Sequence, residues 1–221
     1  MTNTSQLQKR AYEFLVGEIS EGNFAPDMIY SEAKIAKNLG FSRTPVREAL
    51  QRLAQEGYID ILPSRGFIIH SLTEREVLNM YQMRSAVETY CLLAYAGEDK
   101  SERKDAVVAE LGRIIAEQKR CVDGTYEIER YPALDHAFHR AIIECFGNEL
   151  FNEAFSKYST SLLNMTKYTM NSRERISVSC REHMDILERI KAADPTGASE
   201  CLHKHIDHPT EYVIYSLKGE A

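Results

Sequence analysis

The sequence predicts a mainly α-helical protein built from two parts of different texture. In the first part, two amphipathic segments meet at a tight link, Gly40-Phe41-Ser42, and two β-rich runs bracket a turn that begins at Pro63. From Thr73 onward, apolar residues recur at helical spacing without strand alternation. We therefore expect a small N-terminal unit of three helices and a hairpin, followed by an all-helical bundle of six helices, with seven as the alternative count.

The N-terminal unit begins with a predicted helix over residues 6–21, whose apolar side chains lie at helical spacing. Gly22 and Pro26 end this helix because both residues are unfavourable in a helix interior. A second helix spans residues 32–39 and stops at Gly40, since glycine readily adopts the left-handed conformation that follows many helix ends.

The third helix is predicted to open at Ser42, a good N-cap residue, and to close at Gly57. Two β-rich runs, 58–62 and 67–70, then form a hairpin around a Pro/Gly turn. Three helices followed by a hairpin, with a tight turn between the second and third helices, are typical of a winged helix-turn-helix. We assign residues 1–70 to this domain.

The second part of the chain contains long helices only. Thr73 and Glu76 form a predicted capping box, in which each side chain accepts a hydrogen bond from a backbone N–H at the helix start. Residues 71–72 form the predicted linker and residues 73–221 the helical domain. The first helix runs from Thr73 to about Gly97, and the others cover 101–122, 127–146, 148–170, 173–192 and 196–217.

Composition limits the classes of protein that the chain can represent. Its 221 residues suffice for two modest domains, and 43% hydrophobic with 27% charged residues excludes a disordered chain. No apolar run approaches the roughly 18 residues of a membrane span, and the polar N-terminus does not resemble a secretion signal. The five cysteines are scattered, so we expect reduced thiols in a cytoplasmic protein without a membrane partner.

The distribution of charge is more informative than the net charge of −6. Residues 1–70 are neutral overall, whereas residues 71–221 carry the whole negative excess. Within the neutral part, five Lys and Arg residues face a single Glu over residues 34–52. This local positive charge, on the predicted helix-turn-helix, favours a nucleic-acid partner.

The third helix supplies the residue types that read DNA bases. In a helix-turn-helix, the N-terminal residues of the second motif helix point at base edges in the major groove. Arg43 and Arg47 lie four residues apart and share a face with Thr44 and Gln51 nearby, and arginine can donate two hydrogen bonds to guanine. Arg65, at the hairpin tip, is placed to reach phosphate or the minor groove. The alternative is a solvated basic helix face stabilised by pairs such as Arg52 with Glu56.

The block SRTPVREALQRLAQEG, followed by PSRGF, resembles the signature of the GntR family of bacterial transcription regulators. The resemblance extends from Ile19 to Ile69 and implies double-stranded DNA as partner. It places the family's base- and phosphate-contacting residues at Arg43, Thr44, Arg47 and Gly66. Two positions depart from the family pattern: Asp27 replaces a usual Gly, and Ala33 stands where some members carry a DNA-contacting Arg.

Four side chains of the helical domain are candidate metal ligands. Asp135 and His139 lie four residues apart and share a helix face, while His183 and His205 lie on two later helices that a bundle can bring together. One carboxylate and three imidazoles suit Zn²⁺, Ni²⁺, Mn²⁺ or Fe²⁺. The spacing alone is weak, because a chain with seven histidines produces such patterns by chance and most histidines are surface or core residues.

Three patterns of the helical domain resemble the FCD group of GntR regulators, named after the fatty-acid regulator: YQMRSAVE, DHAFHRAIIECFGN, and EHMDILERI followed by HKHI. The resemblance implies metal ligation by Asp135, His139, His183 and His205. Six helices rather than seven resemble the vanillate-regulator-like branch. The resemblance also implies that Arg84 binds an effector carboxylate; the alternative is a salt bridge from Arg84 to Glu88. Of the other histidines, His208 is a rival or an outer partner of the metal site.

These features together predict a homodimeric transcription regulator, a repressor by family habit, that reads a short palindromic operator. One divalent transition metal per chain and a small organic acid bound in the helical domain would set its affinity for DNA. No catalytic residue is predicted. Two alternatives are a metal-dependent enzyme fused to a DNA-binding domain, and a DNA-binding regulator whose metal is purely structural.

Overall fold

The computed structural model describes residues 3–20, 23–25, 28–70, 72–98, 101–170 and 172–217. The chain divides into two compact units, Met1–Leu72 and Thr73–Ala221. The predicted fold class is confirmed: most described residues are helical, and one small antiparallel hairpin lies in the first unit. None of the described helices has the length and hydrophobicity that crossing a bilayer requires.

The first unit is a three-helix cluster closed by a hairpin. Its core is apolar, with Leu15, Val46, Leu53 and Phe67 among its fully buried side chains. The predicted end of the first helix, at Gly22 and Pro26, lies outside the described residues. The same holds for Asp27, which departs from the family pattern. The elements are α1 (Asn3–Ser20), α2 (Glu32–Leu39), α3 (Arg43–Gln55), β1 (Ile59–Leu62) and β2 (Gly66–Ile69).

The corner between α2 and α3 forms as the glycine predicts. Gly40 adopts the left-handed conformation, with φ of 68°, and its N–H donates to the carbonyls of Ala36 and Lys37 at the end of α2. Ser42 has the extended backbone of an N-cap residue, but its hydroxyl accepts no capping hydrogen bond from the described N–H groups of α3. Ser42 therefore occupies the predicted N-cap position without a side-chain capping bond.

The wing is tied to the segment that precedes α2. β1 pairs antiparallel with β2 from Ile59 opposite Ile69 to Leu62 opposite Gly66, and Tyr30 exchanges two backbone hydrogen bonds with Phe67, of 2.7 and 2.9 Å. Gly66 has φ of +126°, and a Cβ there would lie 2.0 Å from the Tyr30 carbonyl oxygen. Only glycine therefore allows this close approach.

The second unit is a bundle of six α-helices among the described residues. The Thr73–Glu76 capping box is present at its start. The helix predicted over 127–146 is shorter than expected: a single 3₁₀ turn covers Ile128–Arg130, since Pro132 fits only the first turn of an α-helix. The helices are α4 (Glu74–Gly97), α5 (Glu102–Val122), α6 (Tyr131–Glu144), α7 (Glu149–Thr169), α8 (Arg173–Lys191) and α9 (Pro195–Leu217).

Candidate functional site

The first unit presents a basic cleft between α3 and the wing. The side chains of Arg43, Arg47 and Gln51 are exposed along α3, and they line a cleft of about 510 Å³ together with Arg65 and Gly66 of the wing. Thr44 is also exposed, in the first turn of α3. The predicted DNA-contacting residues thus lie on α3 and the wing tip, where base edges and phosphates can approach them.

The arginines of α3 differ in their partners. Arg47 makes a two-pronged ion pair with Glu32 of α2, with Nη2 and Nε at 3.0 and 3.2 Å from the two carboxylate oxygens. Arg52 pairs with Glu56 at 2.8 Å and lies over the ring of Tyr12 of α1. The predicted Arg52–Glu56 pair is therefore present, and it holds Arg52 against α1.

A cluster of four potential ligands lies in the core of the second unit. Asp135 and His139 of α6, His183 of α8 and His205 of α9 are all buried, and each offers one ligand atom within 4.8 Å of the others. The Nε2 atoms of the three histidines lie 3.0, 3.2 and 3.3 Å apart. Asp135 completes the set, with its oxygens 3.6 Å from His183 Nε2 and 3.9 Å from His139 Nε2.

The outward nitrogen of each imidazole faces an oxygen of another helix. His139 Nδ1 lies 2.6 Å from Glu88, His183 Nδ1 lies 2.9 Å from Gln118, and His205 Nδ1 lies 2.8 Å from Glu182. The Gln118 amide nitrogen donates to a backbone carbonyl, so its oxygen is the atom that faces His183. Because these oxygens accept, each Nδ1 carries a proton and each Nε2 keeps its lone pair.

Burial keeps two imidazoles of this cluster neutral. Burial lowers the pKa of His139 and of His183 well below the ordinary value, so neither ring is protonated at neutral pH. Three lone pairs about 3 Å apart repel one another unless a cation lies between them. Nitrogen ligands about 2.0–2.1 Å from Zn²⁺ at tetrahedral angles lie about 3.3 Å apart, close to the separations seen here. The residues therefore fit a divalent transition metal.

Arg84 is buried beside the cluster. Its Nε donates to Glu88 at 2.8 Å, so the salt bridge that the sequence offered as the alternative reading is present. Its Nη2 is also buried and has no hydrogen-bond partner among the described residues. The same guanidinium therefore orients Glu88, the partner of His139, and keeps one N–H group free for an acceptor.

The remaining histidines lie away from the four ligands. His136 contacts Ser159 at 2.6 Å and stacks on Phe155 of α7. His203 is exposed and contacts Thr89. His208 is exposed and is not one of the four buried ligands, whereas its place as an outer partner stays a prediction, since it lies within electrostatic reach of Glu182.

Sequence reasoning missed the groups that orient the ligands. Gln118 of α5 and Glu182 of α8 hold two of the imidazoles, and Ser179 donates to Asp135 at 3.1 Å. Of these three residues, only Ser179 could have been predicted from the sequence, because it precedes His183 by four residues and so shares its helix face. Gln118 and Glu182 act on histidines of other helices, and no spacing relates such partners.

A winged helix-turn-helix with an exposed basic cleft defines a DNA-binding protein. Residues 7–69 match the model of the bacterial regulatory proteins of the gntR family, and residues 79–208 match the FCD domain. The chain belongs to the GntR family, in the group that carries an FCD domain, and is a DNA-binding transcriptional regulator. Membership of the vanillate-regulator-like branch stays a prediction.

Full-length relatives agree with this assignment. The chain is 24% identical to the transcriptional regulator YdhC of Bacillus subtilis, over 94% of this chain and 91% of the relative. It is 22% identical to the transcriptional repressor GlaR of Escherichia coli, over 94% and 96%. A GntR regulator from Rhodococcus sp. RHA1 has the same fold, with a TM-score of 0.73 at 17% identity over 97% and 98% of the two chains. These relatives are regulators, and the family therefore does not support the enzyme alternative.

Proposed function

We propose that this chain is a homodimeric repressor whose affinity for a short palindromic operator is set by a metal and a small organic acid in its helical domain. The observation that carries the proposal is the convergence of three imidazole Nε2 atoms and one carboxylate in a buried core of a DNA-binding chain. Such a donor set has no structural use as a hydrogen-bond network, because its inward atoms are all acceptors.

Asp135, His139, His183 and His205 are the proposed ligands, one ion per chain. Three imidazoles and a carboxylate favour Zn²⁺, Ni²⁺, Mn²⁺ or Fe²⁺ over Mg²⁺ or Ca²⁺, which prefer oxygen ligands. Glu88, Gln118 and Glu182 would fix the ring orientations, as partners of metal-bound histidines commonly do. A metal bound there would supply an electrostatic anchor for an anionic effector.

Arg84 is the proposed partner of the effector carboxylate. Its free Nη2 group is buried within the same core, and an unpaired guanidinium N–H in such a place favours a ligand that brings an acceptor. Arg43, Thr44, Arg47, Gln51, Arg65 and Gly66 are the proposed DNA-contacting residues. Repression is proposed because a full-length relative is named a repressor.

The proposed dimer and the proposed palindromic operator have matching two-fold symmetry. A two-fold symmetric protein places two recognition helices one turn of DNA apart and so reads a palindrome. The effector must bind one arrangement of the dimer better than the other, and such coupling free energies are typically about 1–3 kcal/mol.

A gel-shift titration tests the proposal, with an operator selected from random DNA by the wild-type protein. Metal-loaded wild type should lose or gain operator affinity by about 5- to 150-fold when a binding acid is added. Asp135→Ala and His183→Ala should bind the operator but not respond to the acid. If no acid alters operator binding and the two variants behave like wild type, the proposed switch is wrong. A purely structural metal would show itself by unfolding of the helical domain on chelation, without any response to acids.

A further inference from the structure

A second arginine lies beside the proposed effector site with its hydrogen-bonding edge open. Both terminal nitrogens of Arg175, Nη1 and Nη2, are buried and have no hydrogen-bond partner among the described residues. Leaving buried donors of a charged group without hydrogen-bond acceptors costs free energy, so such an edge favours a ligand that supplies acceptors. The family patterns found in the sequence do not include this residue.

Arg175 is close to the metal-ligand cluster. Its Nη1 lies 3.7 Å from Oε2 of Glu182, and the same oxygen lies 2.8 Å from Nδ1 of His205. Along α8, Arg175, Ser179 and His183 occupy positions i, i+4 and i+8, which form one stripe on the helix face. Ser179, in the middle of this stripe, donates to Asp135.

Arg84, on α4, also lies near the cluster, because its partner Glu88 contacts His139. Its guanidinium lies 5.9 Å from the ring centre of Tyr81. Burial raises the pKa of the Tyr81 phenol to about 12, whereas Arg84 and Arg175 both act to lower it, so this hydroxyl lies within electrostatic reach of both arginines. Asp135 acts on the same hydroxyl, so both arginines lie near one of the proposed metal ligands.

The two arginines offer different edges to a ligand. Arg84 uses its Nε to donate to Glu88, and its Nη2 makes no hydrogen bond. Arg175 is ion-paired with Glu182 through Nη1 at 3.7 Å, but neither of its Nη atoms makes a hydrogen bond, and together they form the fork that pairs end-on with a carboxylate. One carboxylate held at the metal ligands beside Arg84 would leave the Arg175 fork unpaired. A ligand with a second carboxylate would fill it.

We propose that the effector is a short dicarboxylate, with one carboxylate at the metal-ligand cluster and Arg84 and the other paired end-on with Arg175. This inference rests on the proposed function and names the chemical class of its ligand. Arg84 and Arg175 oppose the carboxylates of Glu88, Asp135 and Glu182, and a divalent cation turns this balance to about +1, so the site attracts an anion.

Calorimetric titration of the full-length, Zn²⁺-loaded protein tests the inference with matched acids. Succinate is compared with butyrate and glutarate with pentanoate, since each pair shares its carbon chain and differs by one carboxylate. The better dicarboxylate should bind about 10- to 100-fold more tightly than its monocarboxylate. Arg175→Met, compared with wild type at Zn²⁺ saturation, should abolish this difference. Arg175→Lys, which keeps the charge without the fork, should recover only part of it.

Arg181→Met is the matched control, because Arg181 is an exposed arginine of the same helix; it should bind like wild type. Equal affinity for both members of each acid pair would overturn the dicarboxylate inference, and so would equal weakening of both by Arg175→Met. The proposed function would still stand if a monocarboxylate shifted operator binding. Failure of all four acids to bind the Zn²⁺-loaded protein overturns the dicarboxylate. Failure of every acid tested to alter operator binding overturns the proposed effector switch itself.

Discussion

Gln118 shows how one side chain outside the ligand set can control the proposed metal site. Its oxygen holds the Nδ1 proton of His183 and thereby directs the Nε2 lone pair inward. Gln118→Leu should lower metal affinity about 10- to 100-fold, the usual effect of removing such a partner. Competition with a coloured chelator measures this. Gln82→Leu, the same change at an exposed site of α4, should leave affinity unaltered, and an equal loss in both variants would contradict the assigned role.

Arg43 carries the corresponding prediction for DNA. Its side chain is exposed in the basic cleft and has no described ion-pair partner to compete with a base. Arg43→Ala should weaken binding to the selected operator by about 1–3 kcal/mol and relax specificity at one base position. Fluorescence anisotropy with point-substituted operators tests this. Arg52→Ala, on the α1 side of the same helix, is the control; equal losses would mean that α3 does not read bases as proposed.

At the scale of single residues, the sequence reached the four proposed ligands but not their partners. Asp135 and His139 can be recognised in the sequence because their four-residue spacing puts them on one helix face. The family resemblance identified His183 and His205. Gln118, Glu182 and Arg175 have no such marker. Their roles depend on which helices become neighbours, and that is decided by the packing of the whole domain.

At the scale of elements, the wing depends on a glycine whose geometry no other residue can match. Gly66→Ala would place a Cβ 2.0 Å from the Tyr30 carbonyl oxygen at a φ of +126°. We expect loss of the Tyr30–Phe67 hydrogen bonds and destabilisation of the first unit by about 2–4 kcal/mol. Urea unfolding measures this. Gly17→Ala, in α1 with no atom within 4 Å of the new Cβ, should instead stabilise by up to about 1 kcal/mol.

Element types were predictable and element ends less so. Hydrophobic periodicity and the glycines predicted all nine described helices and the hairpin, because these signals are local. The predicted start of α6 was one turn too early, because the same residue types favour a 3₁₀ turn and the first turn of an α-helix. The Tyr30–Phe67 pairing was not foreseen, because it joins segments that are distant along the chain.

At the scale of the whole molecule, buried neutral histidines make stability depend on pH when metal is absent. Burial lowers the pKa of His136 to about 4 and those of His139 and His183 well below their ordinary value of 6.5. The unfolded chain therefore binds more protons than the folded chain below about pH 6.5, and stability falls as pH falls. Each histidine contributes up to about 1.4 kcal/mol per pH unit in this range.

Urea unfolding of the chelated protein at pH 7.5 and pH 5.5 measures this loss. His136→Gln, which can keep a hydrogen bond to Ser159, should reduce the loss, whereas His203→Gln, at an exposed position, should not. Saturation with Zn²⁺ should delay the loss to lower pH, because protons must then compete with the metal. Stability that is independent of pH in the chelated protein would contradict the neutral, buried state of these imidazoles.

The central claim is that the buried cluster of the helical domain holds a metal and an acid. The direct measurement is elemental analysis of the purified full-length protein, combined with mass spectrometry of the small molecules that it releases on unfolding. We predict about one divalent transition-metal ion per chain, a released carboxylic acid, and neither in His139→Ala or His183→Ala. Wild-type protein without metal, or metal and acid contents that match those of the two variants, would contradict the claim.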